Sequence, residues 1–149
     1  MSKFNFLDVL KNIEQTKREL PKKLANMTQN YFVLSFRKQG FDGGKWQEVK
    51  RRIPGTPEFK YPKTKGLSRR TKPILIESGE LRRRVANSIL LATWPTVKLM
   101  VDLPQAAAIN EGTDKMPQRQ FIGQSNELTG KQITLVETYF DRVWDAGNL

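Results

Sequence analysis

Residues 5–39 have the spacing of hydrophobic side chains that is typical of helices. Apolar residues recur there three, four or seven positions apart, at Leu7, Leu10, Ile13, Leu20, Leu24, Met27, Tyr31 and Leu34. Pro21 interrupts this pattern, and proline is favourable in the first turn of a helix but costly in its interior. The pattern therefore predicts a short helix to about Glu19 and a second helix from Pro21 to about Gln39. Gly40 is the expected C-terminal stop.

Residues 40–73 show neither helical nor strand periodicity. Glycine and proline interrupt this segment repeatedly, at Gly40, Gly43, Gly44, Pro54, Gly55, Pro57, Pro62, Gly66 and Pro73. The composition predicts a long loop with many lysines and arginines. Such a long irregular segment inside a compact domain is usually functional or disordered.

The pattern changes again after the loop. Ser78 and Gly79 predict a turn, and residues 80–84 are long enough for one helical turn. Apolar and polar residues then alternate in 96–103, which is typical of a half-buried strand, and 85–92 is its expected partner. These two segments predict a β-hairpin that turns at Trp94-Pro95.

The last part of the chain predicts a second long helix. Residues 106–112 fit either a third strand or a short helix that ends at Gly112. Ser125 is a favourable N-cap for a helix over 126–146.

The whole pattern predicts one α+β domain over residues 1–149. It has a small antiparallel sheet, with the N- and C-terminal helices packed on one face, and a long basic loop at about 40–73.

Composition excludes several kinds of chemistry. The 149 residues include no cysteine and no histidine, which excludes thiolate sites, histidine metal sites and histidine-dependent catalysis. No apolar run approaches the roughly 20 residues needed to cross a bilayer, and the N-terminus lacks the features of a signal peptide. We therefore expect a protein that is not an enzyme, needs no cofactor or metal and has no membrane partner.

The positive charge is concentrated in one third of the chain. Residues 37–84 contain 15 basic and five acidic side chains, whereas the rest of the chain contains 11 and 10. This segment is either a solvated loop or a working electrostatic surface for an anionic partner. The candidate interaction residues are Lys50, Arg51, Arg52, Lys60, Lys63, Lys65, Arg69, Arg70, Lys72, Arg82, Arg83 and Arg84. The interleaved Trp46, Phe59 and Tyr61 either stack on bases or anchor the loop to the core, and the second role is favoured for Trp46.

Other possible catalytic motifs are weak. Residues 42–45, Asp-Gly-Gly-Lys, lack the preceding strand and the full spacing of a phosphate-binding loop, so a turn is the better interpretation. Glu77, Glu80 and Glu111 do not have the spacing of a metal site. No zinc finger or other known nucleic-acid module is present, so any DNA contact is expected to be with phosphates.

Four segments, in this order, resemble the phage virion morphogenesis family of tail-completion proteins. They are Phe36–Trp46, the basic loop that follows it, Ile74–Arg82, and Ala107–Gly112 together with Pro117–Ser125. The family usually has tyrosine-alanine where Ala106-Ala107 stands and often histidine where Asn110 stands. The matched residues for which a structural role is expected are Gly40, Gly43, Trp46, Leu75, Gly79, Leu81, Gly112, Arg119 and Phe121.

The resemblance implies a structural role at the tail end or the head–tail neck of a virion. It also implies homo-oligomeric rings, often hexameric, that contact other neck or tail proteins after synthesis in the host cytoplasm. Trp46, Leu75, Leu81 and Phe121 are then expected to anchor loops to the core, and Arg119 to pair with an acid or a backbone carbonyl. The alternatives are a nucleic-acid-binding protein without sequence specificity and, least favoured by the composition, an enzyme that uses carboxylates.

Overall fold

The computed structural model describes residues 4–61 and 71–148. Within these residues the fold is α+β, with five α-helices and two antiparallel sheets of two strands each. The elements in chain order are α1 (Phe6–Lys38), β1 (Gly40–Phe41), β2 (Gly44–Lys45), a 3-10 helix (Lys50–Arg52), α2 (Pro57–Lys60), α3 (Glu80–Ala86), β3 (Ile89–Thr93), β4 (Thr96–Leu99), α4 (Ala106–Glu111) and α5 (Asn126–Asp145). The predicted fold class is confirmed, but the strands form two separate hairpins.

The chain divides into two compact units. Unit 1 contains residues 1–31, 88–100 and 124–149, and unit 2 contains residues 32–87 and 101–123. Helix α1 contributes its first 26 residues to unit 1 and its last seven to unit 2. The single domain expected over 1–149 stays a prediction.

Helices α1 and α5 run antiparallel in unit 1. The N–H of Asn5 donates to the carbonyl of Gly147 at 3.1 Å, and the hydroxyl groups of Tyr31 and Ser125 are 2.8 Å apart. The Ser125 hydroxyl also accepts a hydrogen bond from the N–H of Leu128, which confirms Ser125 as the N-cap of α5. The start of one terminal helix therefore lies beside the end of the other.

The predicted break at Pro21 is wrong, because α1 is one helix of 33 residues with Pro21 inside it. A proline in a helix interior removes one backbone hydrogen bond and costs about 3 kcal/mol. Pro21 is buried, and its neighbours Leu20 and Ala25 are 2% and 0% exposed. We infer that packing of this buried face outweighs the local cost of the proline.

Hairpin β3–β4 also belongs to unit 1 and confirms the predicted hairpin with shorter strands. Thr93 pairs with Thr96 next to the turn, and a bulge leaves Leu90 without a partner in the register. The prediction that Val85 begins the first strand is wrong. Val85 is fully buried in α3, where it lies one turn after the buried Leu81. These two positions, four apart, form the buried face of a helix rather than of a strand.

The beginning of the basic segment has more regular structure than its composition predicts. Asp42 and Gly43 have φ angles of 48° and 80° and join β1 to β2 as a tight hairpin turn. The 3-10 helix and α2 follow, and Thr56 caps α2 by accepting a hydrogen bond from the N–H of Phe59. The turn predicted at residues 42–45 is thus confirmed, and it closes a two-stranded hairpin.

Candidate functional site

Three aromatic rings form the centre of unit 2. The ring of Phe36 lies 5.6 Å from the ring of Trp46 and 5.6 Å from the ring of Phe121, measured between centroids. The three side chains are 1%, 8% and 0% exposed, and the indole N–H of Trp46 donates to the carbonyl of Gln120 at 2.7 Å. Trp46 therefore anchors its loop to the core, as favoured from the sequence, and is not placed to stack on a base.

Arg119 connects the same two segments. Its Nε and Nη2 groups both donate to the carbonyl of Gln47, at 3.2 Å each. A backbone carbonyl is one of the two kinds of partner that were expected for Arg119. Burial lowers the pKa of Arg119, the positive charge of Arg51 lowers it further, and Glu48 opposes the shift. The guanidinium stays charged at neutral pH, because arginine loses its proton only far above that range.

Two of the matched glycines are required by their surroundings. A Cβ atom at Gly40 would collide with the carbonyl oxygen of Gly44 across the β1–β2 hairpin. Gly112 ends α4 with a φ of 79°, and a Cβ there would lie 2.8 Å from the backbone nitrogen of Gln118. Gly43 and Gly79 also have positive φ angles but nothing within 4 Å of such a Cβ. Residues 106–112 fitted either a strand or a short helix from their sequence, and the structure shows the helix, α4.

The two leucines expected as anchors differ. Leu81 is 7% exposed and fits the expected role. Leu75 is only half-buried and has a φ of 61°, whereas the preceding Ile74 is 3% exposed. Ile74 is therefore the core residue of this segment, and the expectation for Leu75 is wrong by one position.

Two polar side chains that the sequence analysis missed join distant segments of unit 2. The amide of Gln39 donates to the carbonyl of Ile74 and accepts from its N–H, so it pairs like a backbone peptide group. The Asn110 Oδ1 accepts from the N–H groups of Phe121 and Ile122, at 3.0 and 3.1 Å. The only signal in the sequence was that Asn110 stands where the resembled family often has histidine.

Hydrogen bonds connect the segments of backbone that carry five of the candidate basic residues. Arg51 donates to the carbonyls of Lys72 and Pro73, at 3.3 and 3.4 Å. Thr56 donates to the carbonyl of Lys50, which joins the 3-10 helix to α2. These bonds link the segments that carry Lys50, Arg51, Arg52, Lys60 and Lys72.

The remaining candidates are elsewhere or outside the described part. Arg82, Arg83 and Arg84 lie on α3, where Arg84 pairs with Glu80 at 3.6 Å. Within the described residues, no hydrogen bond or ion pair joins these three side chains to Lys50, Arg51, Arg52, Lys60 or Lys72. Lys63, Lys65, Arg69 and Arg70 lie outside the described residues. Hydrogen bonds thus join five of the candidate basic residues into one group of segments, and the three arginines of α3 form a second group.

Unit 2 contains most of the positive charge. It has 17 basic and eight acidic side chains, a net charge of +9, whereas unit 1 has nine and seven, a net charge of +2. Seven exposed cations of unit 2 form no side-chain hydrogen bond or ion pair with any described residue. They are Arg37, Lys38, Lys45, Lys60, Arg82, Arg83 and Lys115. These side chains can approach an anionic partner without breaking an internal bond.

The described residues do not contain three or more acidic side chains grouped so that they could hold a metal ion. In that same part of the chain, no helix is long and apolar enough to cross a membrane. Of the three interleaved aromatics, Tyr61 is 78% exposed and Phe59 is half-buried. The exposed cations of unit 2 can bind anions, and Tyr61 is an exposed aromatic side chain of the same unit.

Comparison with protein-family models, with curated proteins and with solved structures found no match.

Proposed function

We propose that this chain is a non-catalytic phage assembly protein that acts as a homo-oligomeric ring at the tail end or the head–tail neck. One observation supports the proposal most. The segments that resemble the tail-completion family are far apart in sequence but share one core in unit 2. There, Phe36, Trp46 and Phe121 pack together and Arg119 binds the carbonyl of Gln47. A common core is expected if the resemblance reflects a shared fold.

The positive charge suggests what the ring contacts. Unit 2 has a net charge of +9 and seven exposed cations without internal partners among the described residues. In a virion, such a surface would face either DNA that passes through the ring or an acidic protein face, which belongs to the next copy in the ring or to another neck or tail protein. In both cases the attraction is electrostatic and requires no base-specific contact.

Deletion of the gene from the parent phage or prophage tests this proposal. Electron microscopy of the particles should show filled heads beside separate or abnormal tails. Joined, infectious particles would contradict the virion role. In a second variant, Lys63, Arg69, Arg70 and Lys72 are changed to glutamate, and a fall in infectivity is expected if this segment contacts DNA or protein.

A second candidate function is nucleic-acid binding without sequence specificity, outside a virion. The exposed, unpaired Arg82 and Arg83 on α3 favour it. Changing both to glutamine should weaken binding to any duplex and reduce the slope of log affinity against log salt by about 1.8, since each lost phosphate contact contributes roughly 0.9. Lys22→Gln with Lys23→Gln is the matched control, because it removes the same charge from an exposed helix in unit 1. Affinity that is insensitive to salt would eliminate this candidate.

A further inference from the structure

Helix α5 has an exposed hydrophobic stripe. Ile133, Phe140 and Trp144 follow one another at spacings of seven and four, which places them along one side of the helix. They are 53%, 54% and 67% exposed. Large apolar and aromatic side chains aligned on an exposed helix face are typical of a protein–protein contact surface.

The same part of α5 presents a row of acids. Glu137, Asp141 and Asp145 are exposed and spaced four residues apart, so they follow the hydrophobic stripe along the helix. Their carboxylates form no hydrogen bond or ion pair with any residue that the structure describes. Together with Ile133, Phe140 and Trp144 they form what we call the α5 stripe, an acidic and aromatic surface.

We propose that the α5 stripe binds the basic surface of unit 2 of a second copy of this chain. Charge complementarity selects this occupant. We define the basic surface of unit 2 by its seven exposed cations that form no bond with a described residue. The three carboxylates of the stripe, which are also without a partner in the described part of the chain, match these cations in charge, and unit 2 as a whole has a net charge of +9. A second stripe is a poor partner, because two rows of unpaired carboxylates would repel each other.

This contact joins two different surfaces, so each copy offers a stripe to one neighbour and a basic surface to another. Contacts of this head-to-tail kind build a closed ring when the rotation between copies closes, and a filament when it does not. A contact between identical surfaces would instead stop at a dimer. The inference rests on the proposed ring function and names the two surfaces that form the ring contact.

The aromatic residues supply a further source of affinity at the same place. Arginine and lysine bind favourably over the faces of Trp and Phe rings, and buried Trp and Arg residues dominate many interfaces. Unit 2 offers exposed arginines at Arg37, Arg82 and Arg83. Contact with the stripe would bury the exposed faces of Phe140 and Trp144 against such side chains.

Sedimentation velocity and native mass spectrometry of the full chain provide the first test. Glu137→Lys with Asp141→Lys should raise the dissociation constant of the oligomer by on the order of a hundredfold, because the reversed charges face a basic partner. The control is Glu14→Lys, an exposed acid of unit 1 outside the stripe, compared with Asp141→Lys alone so that the change in net charge is the same. The control should assemble like the unaltered chain. Equal assembly of both variants, or a chain that is monomeric at tens of micromolar, would overturn the inference.

Zero-length carbodiimide crosslinking identifies the surfaces directly and does not depend on a variant. Mixed copies, labelled with nitrogen-14 and nitrogen-15, should give links from Glu137, Asp141 or Asp145 of one copy to Lys38, Lys45, Lys60 or Lys115 of another. Links from these carboxylates only to unit 1 lysines of another copy would overturn the inference.

The deletion phenotype is a separate readout. If the deletion gives particles with incomplete tails but the chain does not self-associate through α5, the proposed function is supported and this contact is wrong.

Discussion

The two units differ in the kind of surface they present. Eleven of the 14 large hydrophobic side chains that are exposed in the described part of the chain belong to unit 1. Unit 2 has three of them but carries a net charge of +9, against +2 for unit 1. One unit is thus suited to hydrophobic contacts with protein and the other to electrostatic contacts with an anionic surface.

The units also differ in how they are held together. Unit 1 consists of long elements, namely most of α1, hairpin β3–β4 and α5. Unit 2 has short elements joined by side chains that bond to distant backbone, such as Gln39, Trp46, Asn110 and Arg119. Single substitutions in unit 2 should therefore have large effects on stability, whereas substitutions on the outer faces of unit 1 should mainly affect assembly.

The largest expected difference comes from one phenylalanine in each unit. Phe121→Ala removes a fully buried ring that packs against Phe36, and should lower the free energy of unfolding by about 3–5 kcal/mol. Phe140→Ala removes a ring that is 54% exposed, and should cost less than about 1 kcal/mol. Urea unfolding followed by circular dichroism measures both values. Similar losses for the two variants would remove the distinction between the units.

Asn110 tests the polar connections of unit 2. Asn110→Ala leaves the N–H groups of Phe121 and Ile122 without their acceptor and should cost about 1–3 kcal/mol. Asn110→Asp keeps an oxygen that accepts both bonds and should stay within about 1 kcal/mol of the unaltered chain. Thermal and urea unfolding distinguish the two variants. If alanine were tolerated as well as aspartate, these bonds would not hold the segments together.

A pair of glycines gives effects of opposite sign in the two units. Gly112→Ala in unit 2 should cost about 1–3 kcal/mol, because φ is 79° and the new Cβ would contact the Gln118 backbone. Gly130→Ala on the exposed side of α5 should stabilise unit 1 by up to about 1 kcal/mol, since nothing lies within 4 Å of the added atom. The two changes are chemically identical, and differential scanning calorimetry should show shifts in opposite directions. A shift in the same direction for both would contradict the structural explanation.

The N-cap of α5 tests the polar contacts of unit 1, where the expected loss is smaller than for the buried ring of Phe121. Ser125→Ala removes the acceptor for the Leu128 N–H and a hydrogen bond with the Tyr31 hydroxyl, and should cost about 1–2 kcal/mol. Ser125→Thr is the conservative comparison and should recover most of this loss. Hydrogen exchange of the first turn of α5 would localise the effect. An unchanged exchange rate in Ser125→Ala would show that the cap is not needed.

Sequence patterns predicted the elements well and their partners poorly. Helix α5, its Ser125 cap, the β3–β4 hairpin and the turn before α3 followed from spacing and from residue preferences that act over a few positions. The error at Pro21 has a different origin. The rule that proline ends a helix is local, whereas the burial of Leu20, Pro21 and Ala25 depends on packing.

The candidate site was predicted only in part, because some of its contacts also depend on packing between distant segments. The concentration of charge between residues 37 and 84 is visible in the sequence, as is the absence of cysteine and histidine. The roles of Gln39 and Asn110 are not visible, because their partners lie 35 and 11 or 12 residues away. Nor does the helical period tell which hydrophobic positions of α5 stay exposed.

The sequence by itself therefore determined the fold class, the ends of the terminal helices within a few residues and the location of the positive charge. These properties depend on composition and on interactions between near neighbours. Only the tertiary structure decided that α1 continues through Pro21, that Val85 is helical, that Arg119 binds the Gln47 carbonyl and that Ile133, Phe140 and Trp144 face solvent. Each of these depends on which distant segments pack together, because burial and long-range hydrogen bonds outweigh local preferences of a few kcal/mol or less.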